Sequence, residues 1–224
     1  FQASAPLFVF ADTDIFAKAP ARLTAAGVSD ILGKYIALAD WKIASILMDE
    51  YYCTAVADLE TKAIRTVKDN LKEIAAGEKD ACEKLMYALI LSGLAMQMTG
   101  NSRPASGAEH HMVHLWDMEV VNGHLDALHG EKVSAATMLV LLEYKKLADA
   151  IRRGACRVHA FTDGDRELLQ ETFGRKGILG ALEKENTPEL LDDVSTETLS
   201  GALPEILKII DLLPAVTDMQ EMMS

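Results

Sequence analysis

Basic charge is scarce in this chain: 22 lysines and arginines stand against 34 aspartates and glutamates, a formal net charge of −12. A surface of that sign repels phosphate backbones and anionic lipids, so no nucleic acid and no membrane surface is expected as main partner. No uninterrupted apolar run reaches the roughly 18 residues that a spanning helix needs, and no membrane insertion is expected. Cysteine is rare too. Cys53, Cys82 and Cys156 are odd in number, widely spaced and outside any CxxC pair. They give no disulfide framework and fit reduced thiols in a cytoplasmic protein. The first residues lack a basic segment followed by an apolar core, so no secretory signal is read. The glycines are scattered, and none forms the GxGxxG turn after a strand that cradles a dinucleotide. Half of the 224 residues are hydrophobic, enough for a sizeable core and too many for a disordered or fibrous chain.

Strands are nearly missing as well. Leu7-Phe8-Val9-Phe10-Ala11, between Pro6 and the turn signal Asp12-Thr13-Asp14, predicts a short buried strand. A lone strand cannot form a sheet, so its partners are expected in a preceding portion of a longer protein. The start at Phe1 rather than Met fits that expectation.

From Pro20 onward the periodicity is helical. Val28, Ile31, Leu32, Tyr35, Ile36, Ala39, Ile43 and Ile46 recur at three- and four-residue spacings and predict a helix over 25–48. A second helix is predicted over 53–76, with Gly77 as its C′ residue and the charges from Asp58 to Glu73 on a solvated face. A third, over 80–98, is apolar almost all round and is expected in the middle of a bundle, ending at Gly100. The fourth starts with Ser106 as N-cap and Glu109 at capping-box spacing, and breaks at Asn122-Gly123. A long helix over 131–152 follows, with an acid at its start and Arg152-Arg153-Gly154 at its end. Shorter helices are expected over 165–173, 178–185, 196–212 and 216–223. The fold class is all-α, a helical bundle with one residual strand.

Five of the six histidines fall between Asn101 and Val133, at 110, 111, 114, 124 and 129. Imidazole is the commonest side-chain metal ligand and the usual acid–base group near neutral pH. His110 and His114 are four apart and share one helix face. His129 lies beyond the Asn122-Gly123 break, which would let the chain return towards His110. His111 points off that face, and His124 and His159 are read as incidental. On spacing alone the cluster is as compatible with ordinary surface or core histidines as with ligands. Asp30, a carboxylate in the apolar stretch Ala26-Gly27-Val28-Ser29-Asp30-Ile31-Leu32, is the candidate third ligand, because such a group is costly to bury unless paired or metal-bound. A salt-bridged or capping aspartate is the alternative.

AGVSDIL, then SRPASGAEHHMVHLWDM, then LHGEKV resembles, in order and with compatible gaps, the sn-glycerol-1-phosphate dehydrogenase family. That family belongs with the iron-containing alcohol dehydrogenases, glycerol dehydrogenases and dehydroquinate synthases. The likeness covers Asp12 to about Arg153. It implies that Asp30, His110 and His129 bind a divalent metal and that His114 lies beside it, positioning substrate or moving a proton. It implies reduction of dihydroxyacetone phosphate by NADH or NADPH. Arg103, Ser102, Ser106 and backbone N–H groups at the start of the His110 helix are candidates for the substrate phosphate; a structural pairing of Arg103 with Glu109 is the equal alternative. Family members carry an N-terminal α/β cofactor domain, which is expected to lie outside this chain. Residues 1–19 read as a strand and linker from it, and 20–224 as the helical metal-binding domain, inactive alone. Lys34 stands where iron-dependent members have a fourth ligand, so zinc or nickel is expected rather than iron. A homo-oligomer is compatible with this reading. A glycerol or polyol dehydrogenase, a dehydroquinate-synthase-like cyclase and a non-catalytic helical metal-binding module are the alternatives.

Overall fold

The computed structural model describes residues 6–118, 123–158, 166–174, 177–181 and 194–223. Every regular element among them is a helix: α1 Thr13–Phe16, α2 Ala21–Met48, α3 Thr54–Lys68, α4 Leu71–Ala75, α5 Lys79–Thr99, α6 Ala108–Asp117, α7 His129–Arg152, α8 Arg166–Thr172, α9 Thr196–Ile210 and α10 Val216–Met223. The all-α expectation holds.

The middle of the bundle belongs to α2, not α5. Val28, Ile31, Leu32, Ile36, Ala37, Ala39, Trp41 and Ala44 are buried, and these positions cover every face of the helix. Ile31, Leu32 and Ile36 join Ile64 and Val67 of α3, Leu85 of α5, Leu141 of α7 and Met219 of α10 in the main core. Each such fully buried side chain stabilises the fold by about 1.5–3 kcal/mol. Trp41 forms a second layer with Val56, Ala57 and Ala95, and Ala148 a third with Ala202, Ile206 and Ile210 of α9. The third predicted helix, α5, instead keeps Tyr87, Leu94, Met96 and Met98 exposed. Hydrophobicity all round placed it in the centre; with one side on α3, its opposite side has no neighbour among the described residues.

Several expected boundaries shift for local reasons. The predicted 53–76 helix divides into α3 and α4. Asn70 leaves helical geometry (φ −125°, ψ 20°), and its side-chain amide donates to the Thr66 carbonyl, a side-chain bond that competes with the helix ladder. Gly77 follows in the left-handed region at φ +74°, as a C′ glycine should. The 196–212 helix stops at Ile210. Residues 182–193, and with them the second half of the predicted 178–185 helix, lie outside the described part.

Leu7–Ala11 is not a buried strand. Leu7 and Phe10 are 92% and 96% exposed, and no strand pairs with them among the described residues. Extended backbone without a neighbouring ladder leaves both its polar groups and its apolar side chains in water.

Candidate metal centre

Two glycines bring α2 and α7 together. A Cβ on Gly33 would lie 2.6 Å from Val133 Cγ1, and one on Gly130 would overlap the carbonyl of Ala26. Hydrogen at both positions therefore lets the helices approach until Asp30, midway along α2, faces His129, the first residue of α7. The start of α7 is tied down by Glu131. Its carboxylate accepts the Leu128 N–H at 2.8 Å and the Arg22 Nε at 2.5 Å. The bond from Arg22 pulls its pKa down to about 2.

Helix α6 delivers His110. It begins at Ala108 with Gly107 as its N-cap, one residue later than the predicted cap Ser106. The cap is assembled by two carboxylates. Asp40 of α2 accepts the Ala108 N–H at 2.7 Å, and Glu109 accepts the Gly107 N–H at 3.1 Å. Two of the N–H groups considered for a substrate phosphate, those of Gly107 and Ala108, are thus already engaged. A Cβ on Gly107 would meet Asp40 Oδ2 at 2.6 Å, which explains why glycine stands there. The helix ends at Asp117, with Met118 beyond it as C-cap. It therefore stops before the predicted Asn122-Gly123 break. Asn122 lies outside the described residues, and Gly123 is left-handed at φ +73°.

The result is a convergence of three donors. One ligand atom from each of Asp30, His110 and His129 lies within 4.8 Å of the other two. His110 Nε2 is 3.3 Å and His129 Nε2 3.8 Å from Asp30 Oδ1. Asp30 Oδ2 faces the other way, 2.9 Å from Lys34 Nζ. His110 is buried, and its Nδ1 lies 2.6 Å from Glu109 Oε1, so Nε2 is the nitrogen presented to the other two side chains. Burial works against charge on His110, but its bonds to Asp30 and Glu109 outweigh it and push the pKa up to about 9. At Asp30 burial is again outweighed, by bonds to His110 and Lys34, which hold the carboxyl well below its usual range. Burial and the neighbouring histidine charges push His129 and His114 down. Two imidazoles and one carboxylate at this spacing suit a divalent transition ion, which would compete with the proton on His110. The side chain of His129 is 50% exposed, so the cluster opens to solvent on that side.

His114 lies one turn along α6, its ring 6.3 Å from that of His110. His111 and His124 are exposed and outside the trio; His159 falls outside the described residues. Arg103 pairs with Glu50 (Nε to Oε1, 2.8 Å) rather than with Glu109. Ser102 is exposed and Ser106 half-buried in the same loop.

Two carboxylates carry more than sequence reasoning gave them. Glu109, read as a capping residue, is fully buried against His110. Glu60, read as part of a solvated face, is fully buried too, and neither of its oxygens has a hydrogen-bond partner. Its place was readable: Val56, Ala57, Glu60, Ala63, Ile64 and Val67 form one buried stripe at helical spacing.

No family profile matches the chain. Curated relatives do. A Geobacillus thermodenitrificans protein named glycerol-1-phosphate dehydrogenase, NAD(P)+, is 37% identical over 196 residues, covering 82% of this chain and 48% of the relative. One of the same name from Bacillus velezensis is 35% identical over 227 residues, covering 98% and 56%. Another, from Methanosarcina mazei, is 37% identical over 180 residues, covering 80% and 50%. The chain is thus similar over most of its length to proteins named glycerol-1-phosphate dehydrogenase, and it spans about half the length of the curated relatives it matches.

Proposed function

We propose that this chain is the C-terminal, metal-binding helical part of a cytoplasmic enzyme that reduces dihydroxyacetone phosphate to sn-glycerol 1-phosphate with NADH or NADPH. Residues 20–224 form the metal domain, and residues 1–19 lead in from an α/β domain that carries the nicotinamide. The observation that carries the reading is the meeting of Asp30, His110 and His129, from three helices, around one point. These three are the metal ligands, and their mixed nitrogen and oxygen donors suit zinc or nickel.

Asp30, His110 and His129 would hold a divalent ion, which would supply Lewis-acid stabilisation of charge on the substrate oxygen, and a bound nicotinamide would supply the hydride. The residues of this chain do the rest. Glu109 fixes the His110 ring, and the open side at His129 admits the substrate. His114, whose pKa is pushed down by partial burial and by the neighbouring charge of His110, takes the proton from the alcohol in the oxidative direction. Its exposed ring exchanges that proton with water. Arg103, held by Glu50, reaches the substrate phosphate, with the hydroxyls of Ser102 and Ser106 beside it.

A substrate panel on the full-length enzyme tests this reading. Activity with dihydroxyacetone phosphate should far exceed that with dihydroxyacetone, and Arg103→Ala should raise KM for the phosphorylated substrate alone. Equal activity on both substrates would favour a polyol dehydrogenase. His114→Ala should lower turnover more than metal content. The 224-residue chain by itself should be inactive, and turnover matching that of a full-length relative would refute the division of the site between two domains.

A further inference from the structure

Lys34 is the most unusual charge in the molecule. Its side chain is only 2% exposed, and a buried ammonium persists only where negative groups compensate its lost hydration. Two of its three N–H donors are accounted for by Asp30, through Oδ2 at 2.9 Å and the backbone carbonyl at 3.1 Å. On α3, Glu60 is a second fully buried carboxylate, and Lys34 opposes the rise that burial imposes on its pKa. Asp30 is thus divided. One oxygen faces His110 and His129, and the other is held by the Lys34 ammonium.

We propose that Lys34 is a positioning residue that claims one oxygen of Asp30 and leaves it a one-oxygen ligand. This rests on the reading of Asp30, His110 and His129 as the metal ligands. A carboxylate beside an ion binds through one oxygen or two, and a free Asp30 could swing to offer both. With Oδ2 held, the protein supplies three donor atoms and no more, and the remaining positions stay open for substrate and water. The ammonium also draws electron density from Asp30, so the carboxylate neutralises less of the ion's charge and the ion stays a stronger Lewis acid.

The test loads the 224-residue chain with Co2+, whose visible bands weaken as coordination number rises. Wild type should take up one ion with intense bands. Lys34→Met, and Lys34→Met with Glu60→Gln to avoid stranding a buried charge, should still bind one ion. Their bands should weaken, and X-ray absorption should count one more oxygen around the cobalt. Variants with the wild-type spectrum and oxygen count would overturn the proposal. Infrared difference spectra of Zn2+ binding to wild-type protein give a reading that needs no Lys34 variant. The two carboxylate stretches of Asp30, identified by their loss in Asp30→Asn, should lie far apart, as for one-oxygen binding, and a narrow separation would overturn the proposal. A wild-type chain that takes up no ion would instead refute the ligand assignment itself.

Discussion

At the scale of single residues, second partners decide what each ligand can do. Glu109 Oε1 lies 2.6 Å from His110 Nδ1, and such outer contacts fix ring orientation and tautomer. Glu109→Gln should therefore weaken metal affinity by about 10–100-fold, measured by competition with a chromophoric chelator. Asp40 gives a prediction in pH. Burial pushes its carboxyl up from 3.8 to about 6, against the bonds from Tyr144 and the Ala108 N–H. A raised folded-state value means that the folded protein holds this proton more tightly than the unfolded chain. The contribution is therefore complete below about pH 4 and is lost as pH rises through 6. The loss amounts to up to about 3 kcal/mol. Denaturant titrations from pH 4 to 7 should show this fall, and Asp40→Asn should remove its slope. The sequence carried part of this picture. The motif resemblance named Asp30, His110 and His129, but residue spacing could not, because Asp30 and His110 are 80 positions apart and periodicity speaks only of local faces. Glu109–His110 and Lys34–Asp30 are local pairs, one and four positions apart, but the role of Asp40 depends on which helix lies opposite, and that was not readable.

At the scale of elements, the site depends on how closely α2, α6 and α7 pack. Gly130 admits the Ala26 backbone, and Gly33 admits Val133. Gly130→Ala sets a methyl against a carbonyl of the central helix, which cannot yield as a flexible side chain would. It should cost about 1–3 kcal/mol in urea denaturation and lower metal uptake by moving His129 away from Asp30. Helix existence was largely legible here: α2, α5, α7 and α10 run close to their predicted spans because long amphipathic or apolar periods dominate their sequences. Ends set by tertiary partners were not. The start of α6 at Ala108 follows from Asp40, a residue on another helix, and the exposure of α5 from what packs beside it.

At the scale of the whole molecule, a helical bundle holds its candidate ligands on one open side, in a chain about half as long as the relatives it matches. No helix among the described residues is long and apolar enough to cross a membrane. The central claim is that three helices meet to hold one ion, and the most direct measurement is the metal content of the purified 224-residue chain and its variants. The account predicts about one divalent ion per chain, lost in both Asp30→Ala and His110→Ala while the helical circular dichroism signal persists. A folded wild-type chain with no ion, or variants that keep theirs, would contradict it.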